Sequence, residues 1–93
     1  MPTYENHLIA DWETTGHEFL VSAGYAYEKG IVVEQNFDIA RNCYAVAGGA
    51  GNSQAICNLG WLYENGLGVD RDVEQAVTIY ERAAKLGNTP LLW

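Results

Sequence analysis

An internal repeat constrains the fold of this chain more than any other feature of its sequence. Residues 55–87 reproduce the pattern of residues 19–51 after an interval of 36 residues, and the alignment needs no gap. The identical pairs are Gly24 with Gly60, Tyr27 with Tyr63, Glu28 with Glu64, Gly30 with Gly66, Val33 with Val69, Ala40 with Ala76, Tyr44 with Tyr80, Ala47 with Ala83 and Gly51 with Gly87. Repeats of this length are typical of stacked units, because each unit buries its apolar face only against a neighbour. The sequence therefore predicts a short solenoid.

The spacing of apolar residues predicts that each repeat is a pair of helices within one domain. Residues 17–52 form the first repeat and residues 53–88 the second. Residues 4–16 predict a helix that caps the N-terminal end, and residues 89–93 predict either a C-terminal cap or the start of a third repeat. The expected fold class is therefore all-α.

In the first repeat, we expect helices over about residues 17–29 and 36–48, with Asn36 as the N-cap of the second. The glycine-rich residues 48–52 follow no strand and lack the lysine and hydroxyl residue of a phosphate-binding loop. We interpret them as a helix end and the turn between the repeats.

In the second repeat, we expect Ser53 to cap a helix over about residues 53–65. Asp72, with Gln75 three residues later, predicts a capping box at the start of the next helix. The glycine-containing residues 66–69 lie between the two helices and predict the turn that joins them.

The net charge of the chain limits the classes of molecule that it is expected to bind. The 93 residues include twelve acidic and five basic side chains, a net charge of −7. This balance does not supply the positive surface that phosphate groups require, so neither nucleic acid nor an anionic membrane is expected as a partner. The first residues are acidic where a secretory signal would be basic and then apolar, so we expect a cytoplasmic protein.

The chain shows no pattern of catalytic or metal-binding residues. Cys43 and Cys57 lack the spacing of a zinc or redox motif, and His7 and His17 lie apart from them. The sequence shows no set of serine, histidine and carboxylate residues whose spacing would bring them together in a catalytic site. We therefore expect no enzymatic activity, no cofactor and no metal.

The second repeat resembles the Sel-one-like repeat, a helix-pair family related to tetratricopeptide repeats. The residues that carry the resemblance are Ala55, Leu59, Gly60, Tyr63, Gly66, Gly68, Val69, Asp72, Ala76, Tyr80, Ala83, Ala84 and Gly87. Residues 19–51 match less fully, and Val32 stands where the second turn glycine is expected. The resemblance implies a right-handed α-α superhelix and an adaptor that holds a protein or peptide against the concave surface of its first helices. None of the matched residues is catalytic in the family.

One stripe of residues on the first helix of each repeat is predicted to line that concave surface. It comprises Glu18, Val21, Tyr25 and Glu28 in the first repeat and Gln54, Cys57, Trp61 and Glu64 in the second. Aromatic side chains with an acidic border suit a partner that presents arginine or lysine beside an apolar anchor. Trp61 is either a contact residue or buried against the second helix, and the sequence leaves both readings open.

Two functions are consistent with these features. The first is a bacterial-type interaction module for a protein or peptide with basic side chains, including an inhibitor or immunity protein that neutralises a basic toxin such as a nuclease. The second is a cap or fragment of a longer repeat array that associates with further repeats, or with a second copy, through Leu91, Leu92 and Trp93.

Overall fold

Four α-helices make up residues 18–87, the part of the chain that the computed structural model describes. They are α1 (Glu18–Lys29), α2 (Phe37–Gly49), α3 (Ser53–Asn65) and α4 (Val73–Lys85), and these residues contain no strand. α1 packs against α2, α2 against α3 and α3 against α4. The predicted all-α arrangement of two successive helix pairs is confirmed. The capping helix predicted at residues 4–16 and the C-terminal cap predicted at 89–93 lie outside the described residues.

Asparagine or aspartate side chains cap three of the helices. Asn36 caps α2 and Asp72 caps α4, each by accepting a hydrogen bond from the backbone N–H three residues later, so both predicted N-caps are confirmed. The reciprocal bond of the capping box predicted at Asp72 and Gln75 does not form, because the Asp72 N–H donates to the Tyr63 carbonyl at 2.9 Å. The prediction that Ser53 caps α3 is wrong. The cap is Asn52, whose Oδ1 accepts a hydrogen bond from the Ala55 N–H at 3.0 Å. Asn52 has the extended backbone that an N-cap requires, whereas Ser53 is already the first helical residue.

A glycine and a tyrosine form the contact between the two helices of each repeat. A Cβ atom added to Gly24 would lie 2.6 Å from Cε1 of Tyr44, and one added to Gly60 would lie 2.7 Å from Cε1 of Tyr80. Only glycine lets the tyrosine ring approach the backbone of the first helix so closely. The repeat of 36 residues in the sequence is therefore also a repeat of one packing contact.

The core continues from one repeat into the next. The buried apolar side chains are Ala40, Tyr44, Ala47, Ala55, Ile56, Leu62, Ala76, Ile79, Tyr80 and Ala83. Leu62 is completely buried although the apolar spacing of α3 places Ile56, Leu59 and Tyr63 on its inward face. The difference arises because α3 packs against both α2 and α4, so it buries a wider arc than a helix with a single neighbour.

The two turns within the repeats have the same backbone geometry but different residues. Gly66 and Gly68 have φ angles of +66° and +76°, and in the first repeat Gly30 and Val32 have φ angles of +71° and +69°. Val32 is fully exposed. A β-branched residue rarely adopts a positive φ angle, so Val32 holds a strained conformation that glycine would adopt without strain.

Candidate protein-binding face

The eight residues of the predicted stripe differ in how far they reach the surface. We call the surface that they form, on α1 and α3, the α1–α3 face. Glu18, Tyr25, Gln54 and Trp61 are exposed, Val21, Cys57 and Glu64 are half-buried, and Glu28 is buried with 7% of its surface exposed. The exposed fractions of Tyr25 and Trp61 are 49% and 38%. Trp61 is therefore accessible to a partner.

A shallow cleft occupies one end of the α1–α3 face. Its volume is about 330 Å³, and three stripe residues, Glu18, Val21 and Gln54, line it together with Ser22 and Asn52. The cleft lies at the N-terminal ends of α1 and α3, where the turn between the repeats brings Asn52 beside Gln54. Its lining combines one carboxylate, two amides, a hydroxyl and an apolar side chain. Such a lining can receive hydrogen bonds and one positive charge.

Lys29 joins the aromatic residues of the two repeats. Its Nζ atom lies 5.7 Å from the centroid of the Tyr25 ring and 5.4 Å from that of Trp61, and both separations are within the range of cation–π attraction. Lys29 is not among the eight residues predicted for this face. Its position four residues after Tyr25, one helical turn further on the same side of α1, was the signal that could have identified it.

The two glutamates of the stripe each accept a hydrogen bond from a buried tyrosine. The Tyr44 hydroxyl donates a hydrogen bond to Glu28 Oε1, and the Tyr80 hydroxyl donates one to Glu64 Oε1, both at 2.7 Å. Burial raises the pKa of each tyrosine well above its usual range, and the carboxylate that accepts the hydrogen bond raises it further. Each glutamate is thereby fixed in orientation, and Glu28 contributes to the surface mainly through its ion pair with Lys29 at 3.5 Å.

The cysteines take part in packing. Cys57 lies partly buried against the cluster formed by Ile56, Ile79 and Ala83, and neither Cys57 nor Cys43 forms a disulfide. Burial raises the pKa of both thiols, which lowers the fraction of reactive thiolate.

Residues 18–87 contain no group of three or more histidine, cysteine, aspartate or glutamate side chains that could hold a metal ion. No helix within the same residues is both long and apolar enough to cross a lipid bilayer.

Two tandem helix hairpins with an exposed aromatic and polar face on their first helices define an α-helical repeat protein of the tetratricopeptide-like class. The model of the Sel1 repeat matches residues 18–52 and again residues 53–88, and the chain belongs to this family. The limits of the two matches agree with the two helix hairpins of the structure.

A solved structure supports the assignment. The crystal structure of a Sel1 repeat protein from Oxalobacter formigenes is similar to this chain, with a TM-score of 0.72 and 38% sequence identity over 74% of the chain. The aligned part is 28% of the length of that protein. No significant match is found among curated proteins. Sel1 repeats generally mediate protein–protein interactions and are typically non-enzymatic.

Proposed function

We propose that this chain is a non-enzymatic interaction module that binds a protein or peptide partner on the α1–α3 face. The proposed contact residues are Glu18, Val21, Tyr25, Glu28, Gln54, Cys57, Trp61 and Glu64, with Glu28 acting through Lys29. The observation that carries the proposal is the exposure of one large aromatic side chain from each repeat, Tyr25 and Trp61, both within cation–π distance of Lys29. Tyrosine and tryptophan are the residues that most often dominate binding energy at protein interfaces.

The partner proposed for this face carries positive charge. The chain has a net charge of −7, and an acidic surface attracts basic partners over distances of about a Debye length. Within this proposal, a basic toxin is one specific partner, and the chain would then act as its immunity protein. The bacterial origin of the similar crystal structure supports a bacterial setting. We also propose a cytoplasmic location, supported by two cysteines that form no disulfide.

Affinity capture with paired variants tests the proposal. The wild-type chain is compared with a double variant, Tyr25→Ala with Trp61→Ala, as bait in an extract of the native cell. The control, Val46→Ala with Val77→Ala, removes one exposed apolar side chain from each of α2 and α4, away from the face. We expect the wild type and the control to retain the same protein and the Tyr25, Trp61 variant to lose it. Equal retention by both double variants would contradict the proposal.

The salt dependence of the captured complex tests the charge of the partner. Screening by salt weakens attraction between exposed charges, so we expect retention to fall steeply from low to high ionic strength. A captured protein that is itself acidic would contradict the toxin version and leave the binding face in place.

A second function, supported by a different observation, is the cap or fragment of a longer array. The similar Sel1 repeat protein is more than three times as long as the part that aligns with this chain. The outer side of α4 presents a groove of about 330 Å³ lined by Gln75, Thr78, Ile79, Glu81, Arg82 and Lys85, where a further helix could pack. We propose that Leu91, Leu92 and Trp93 would associate with further repeats or with a second copy. Sedimentation over a concentration series tests this version, because a strict monomer whose stability is unchanged by removal of residues 90–93 would contradict it.

A further inference from the structure

The three glutamates of the α1–α3 face differ in the partners that the chain itself gives them. Glu28 is buried and forms an ion pair with Lys29 at 3.5 Å. Glu64 is half-buried and accepts a hydrogen bond from the Tyr80 hydroxyl. Glu18 is exposed, and in the part of the chain that the structure describes no lysine or arginine lies within ion-pair distance of it. Glu18 is therefore the carboxylate of this face that is most accessible to a positive group of a partner.

The cleft at the N-terminal ends of α1 and α3 surrounds this carboxylate with neutral side chains. Its volume is about 330 Å³, and the described residues that line it besides Glu18 are Val21, Ser22, Asn52 and Gln54. None of these four carries a charge, so Glu18 supplies the only formal charge of this lining. A cation that enters the cleft is attracted by one carboxylate and is not repelled by a basic side chain of the lining.

The lining offers several oxygen atoms that accept hydrogen bonds. Glu18 contributes two carboxylate oxygens, and Ser22 contributes a hydroxyl oxygen. The Gln54 side chain donates a hydrogen bond from Nε2 to Asn58 Oδ1 at 3.0 Å, so its Oε1 atom is available to accept one. A guanidinium group has five N–H donors and no acceptor, whereas an ammonium group has three donors. Arginine therefore matches this set of acceptors more fully than lysine does.

We propose that this cleft binds one arginine side chain of the protein partner, with Glu18 as the carboxylate that pairs with it. This inference rests on the proposed function and identifies where on the α1–α3 face a positive charge of the partner is received. The pairing of a guanidinium group with a carboxylate is a charge-assisted hydrogen bond with defined geometry. Tyr25 and Trp61 lie about two helical turns further along α1 and α3, so they are left to contact other groups of the same partner.

Three short peptides test the proposal on the full chain. The probe is acetyl-Ala-Arg-Ala-amide, and the two comparison peptides carry lysine or glutamate in place of the arginine. Each is titrated into the ¹⁵N-labelled protein while the backbone amide signal of Ser22 and the side-chain amide signals of Gln54 are followed by NMR. We expect the arginine peptide to shift these signals saturably with a millimolar Kd, the lysine peptide to bind more weakly, and the glutamate peptide to cause no shift. Equal shifts with the glutamate peptide, or equal affinity for the lysine peptide, would overturn the proposal.

The variant Glu18→Gln tests the carboxylate. It removes the charge and keeps the size of the side chain, and we expect the Kd of the arginine peptide to rise about threefold, the effect of losing one exposed ion pair. The control Glu34→Gln removes the same charge from an exposed residue between α1 and α2 and should leave the Kd unchanged. Equal changes in the two variants would mean that only the net charge of the chain matters and would contradict the proposal.

The variant Gln54→Glu tests the cleft by adding a second carboxylate to its lining. We expect the Kd of the arginine peptide to fall about threefold, because one further exposed ion pair becomes possible. The control Thr78→Glu adds the same charge to an exposed position of α4 outside the cleft and should leave the Kd unchanged. A Gln54→Glu variant that binds the peptide no more tightly than this control would also contradict the proposal.

Failure of this proposal is distinguishable from failure of the proposed function. If Glu18→Gln weakens binding of the arginine peptide no more than its control does, but capture of a partner still requires Tyr25 and Trp61, the face binds protein and the cleft does not receive an arginine. If capture does not depend on Tyr25 and Trp61, the proposed function itself fails.

Discussion

The two repeats have the same internal packing and differ at their edges. Both contain the glycine–tyrosine contact, a tyrosine-to-glutamate hydrogen bond of 2.7 Å, and a turn with two positive φ angles. They differ where side chains reach the surface: Lys29 corresponds to Asn65, and Val32 corresponds to Gly68. The comparison shows that the positions that build the hairpin are constrained by contacts within it. The residues at the edge of each hairpin differ according to the structure that packs beside it.

The second turn packs against the preceding repeat, and the first turn has no such contact within residues 18–87. A Cβ atom added to Gly68 would lie 2.8 Å from Cβ of Phe37, at the start of α2. Arg41 also donates a hydrogen bond to the Gly68 carbonyl at 2.6 Å. Gly68 is therefore required both by its own φ angle and by its neighbour, whereas Val32 extends into solvent.

The largest effect on stability is expected when the valine of the first turn replaces the corresponding glycine of the second turn. Gly68→Val adds backbone strain and a collision with Phe37, and we expect it to lower the free energy of unfolding by about 2 to 5 kcal/mol. Urea denaturation measures the change. The control is Gly49→Ala, since no atom lies within 4 Å of an added Cβ there, and this variant should be neutral or slightly stabilising. Equal stability of the two variants would show that the turns are interchangeable.

Removing the tyrosine hydroxyls should destabilise the two repeats to different extents, because their glutamates differ in burial. Tyr44→Phe leaves the buried Glu28 carboxylate without its donor, and we expect a loss of about 2 kcal/mol. Tyr80→Phe should cost about 1 kcal/mol, because water can reach the half-buried Glu64. Urea denaturation of both variants measures the difference, with Tyr25→Phe as a control at an exposed position. A larger loss for Tyr80→Phe would reverse this ranking.

Alkaline pH should destabilise both repeats through the same tyrosines. Because the folded pKa values of Tyr44 and Tyr80 lie above the value of about 10 for an unfolded chain, their stabilising contribution is fully present below that pH. Above it the unfolded state releases protons first, so the free energy of unfolding falls as pH rises. Denaturation between about pH 8 and pH 11 should show this decrease, and the double variant Tyr44→Phe, Tyr80→Phe should show a shallower one. Identical slopes would mean that the decrease has another origin.

The smallest effect is expected from the reciprocal turn variant. Val32→Gly relieves the strain at a φ angle of +69° but increases the freedom of the unfolded chain, so we expect a net stabilisation of about 1 kcal/mol. The midpoint of urea denaturation measures it. Val32→Ala keeps the Cβ atom and should give a smaller gain. A loss of stability in Val32→Gly would indicate that the valine side chain makes a stabilising contact.

The sequence predicts most of the fold, because the repeat imposes it. The helix pairs, the turn glycines and the Asp72 cap follow from residues that recur at one spacing or carry a local signal. Asn52 was missed as the cap of α3, because two adjacent residues can each cap a helix and only the backbone angles decide between them. The burial of Leu62 depends on helices contributed by both repeats, and a single-helix pattern does not contain that information.

The candidate site was predicted less completely than the fold. The helical spacing located Tyr25 and Trp61 on one face, and the structure places both against Lys29. The burial of Glu28 was not predicted, because it follows from the hydroxyl of Tyr44, sixteen residues later on a different helix. Contacts of this kind link the surface to the core and become visible only when both helices are in place.

Val32 determines at which end of the molecule a further hairpin can pack. Where Gly68 makes room for the start of α2, Val32 presents a full side chain, so an additional hairpin cannot dock onto the first turn as α2 docks onto the second. Within residues 18–87 the opposite end carries no such obstacle, and α4 has a groove on its outer side. Addition of hairpins to this scaffold should therefore succeed after α4 and fail before α1, unless Val32 is first exchanged for glycine.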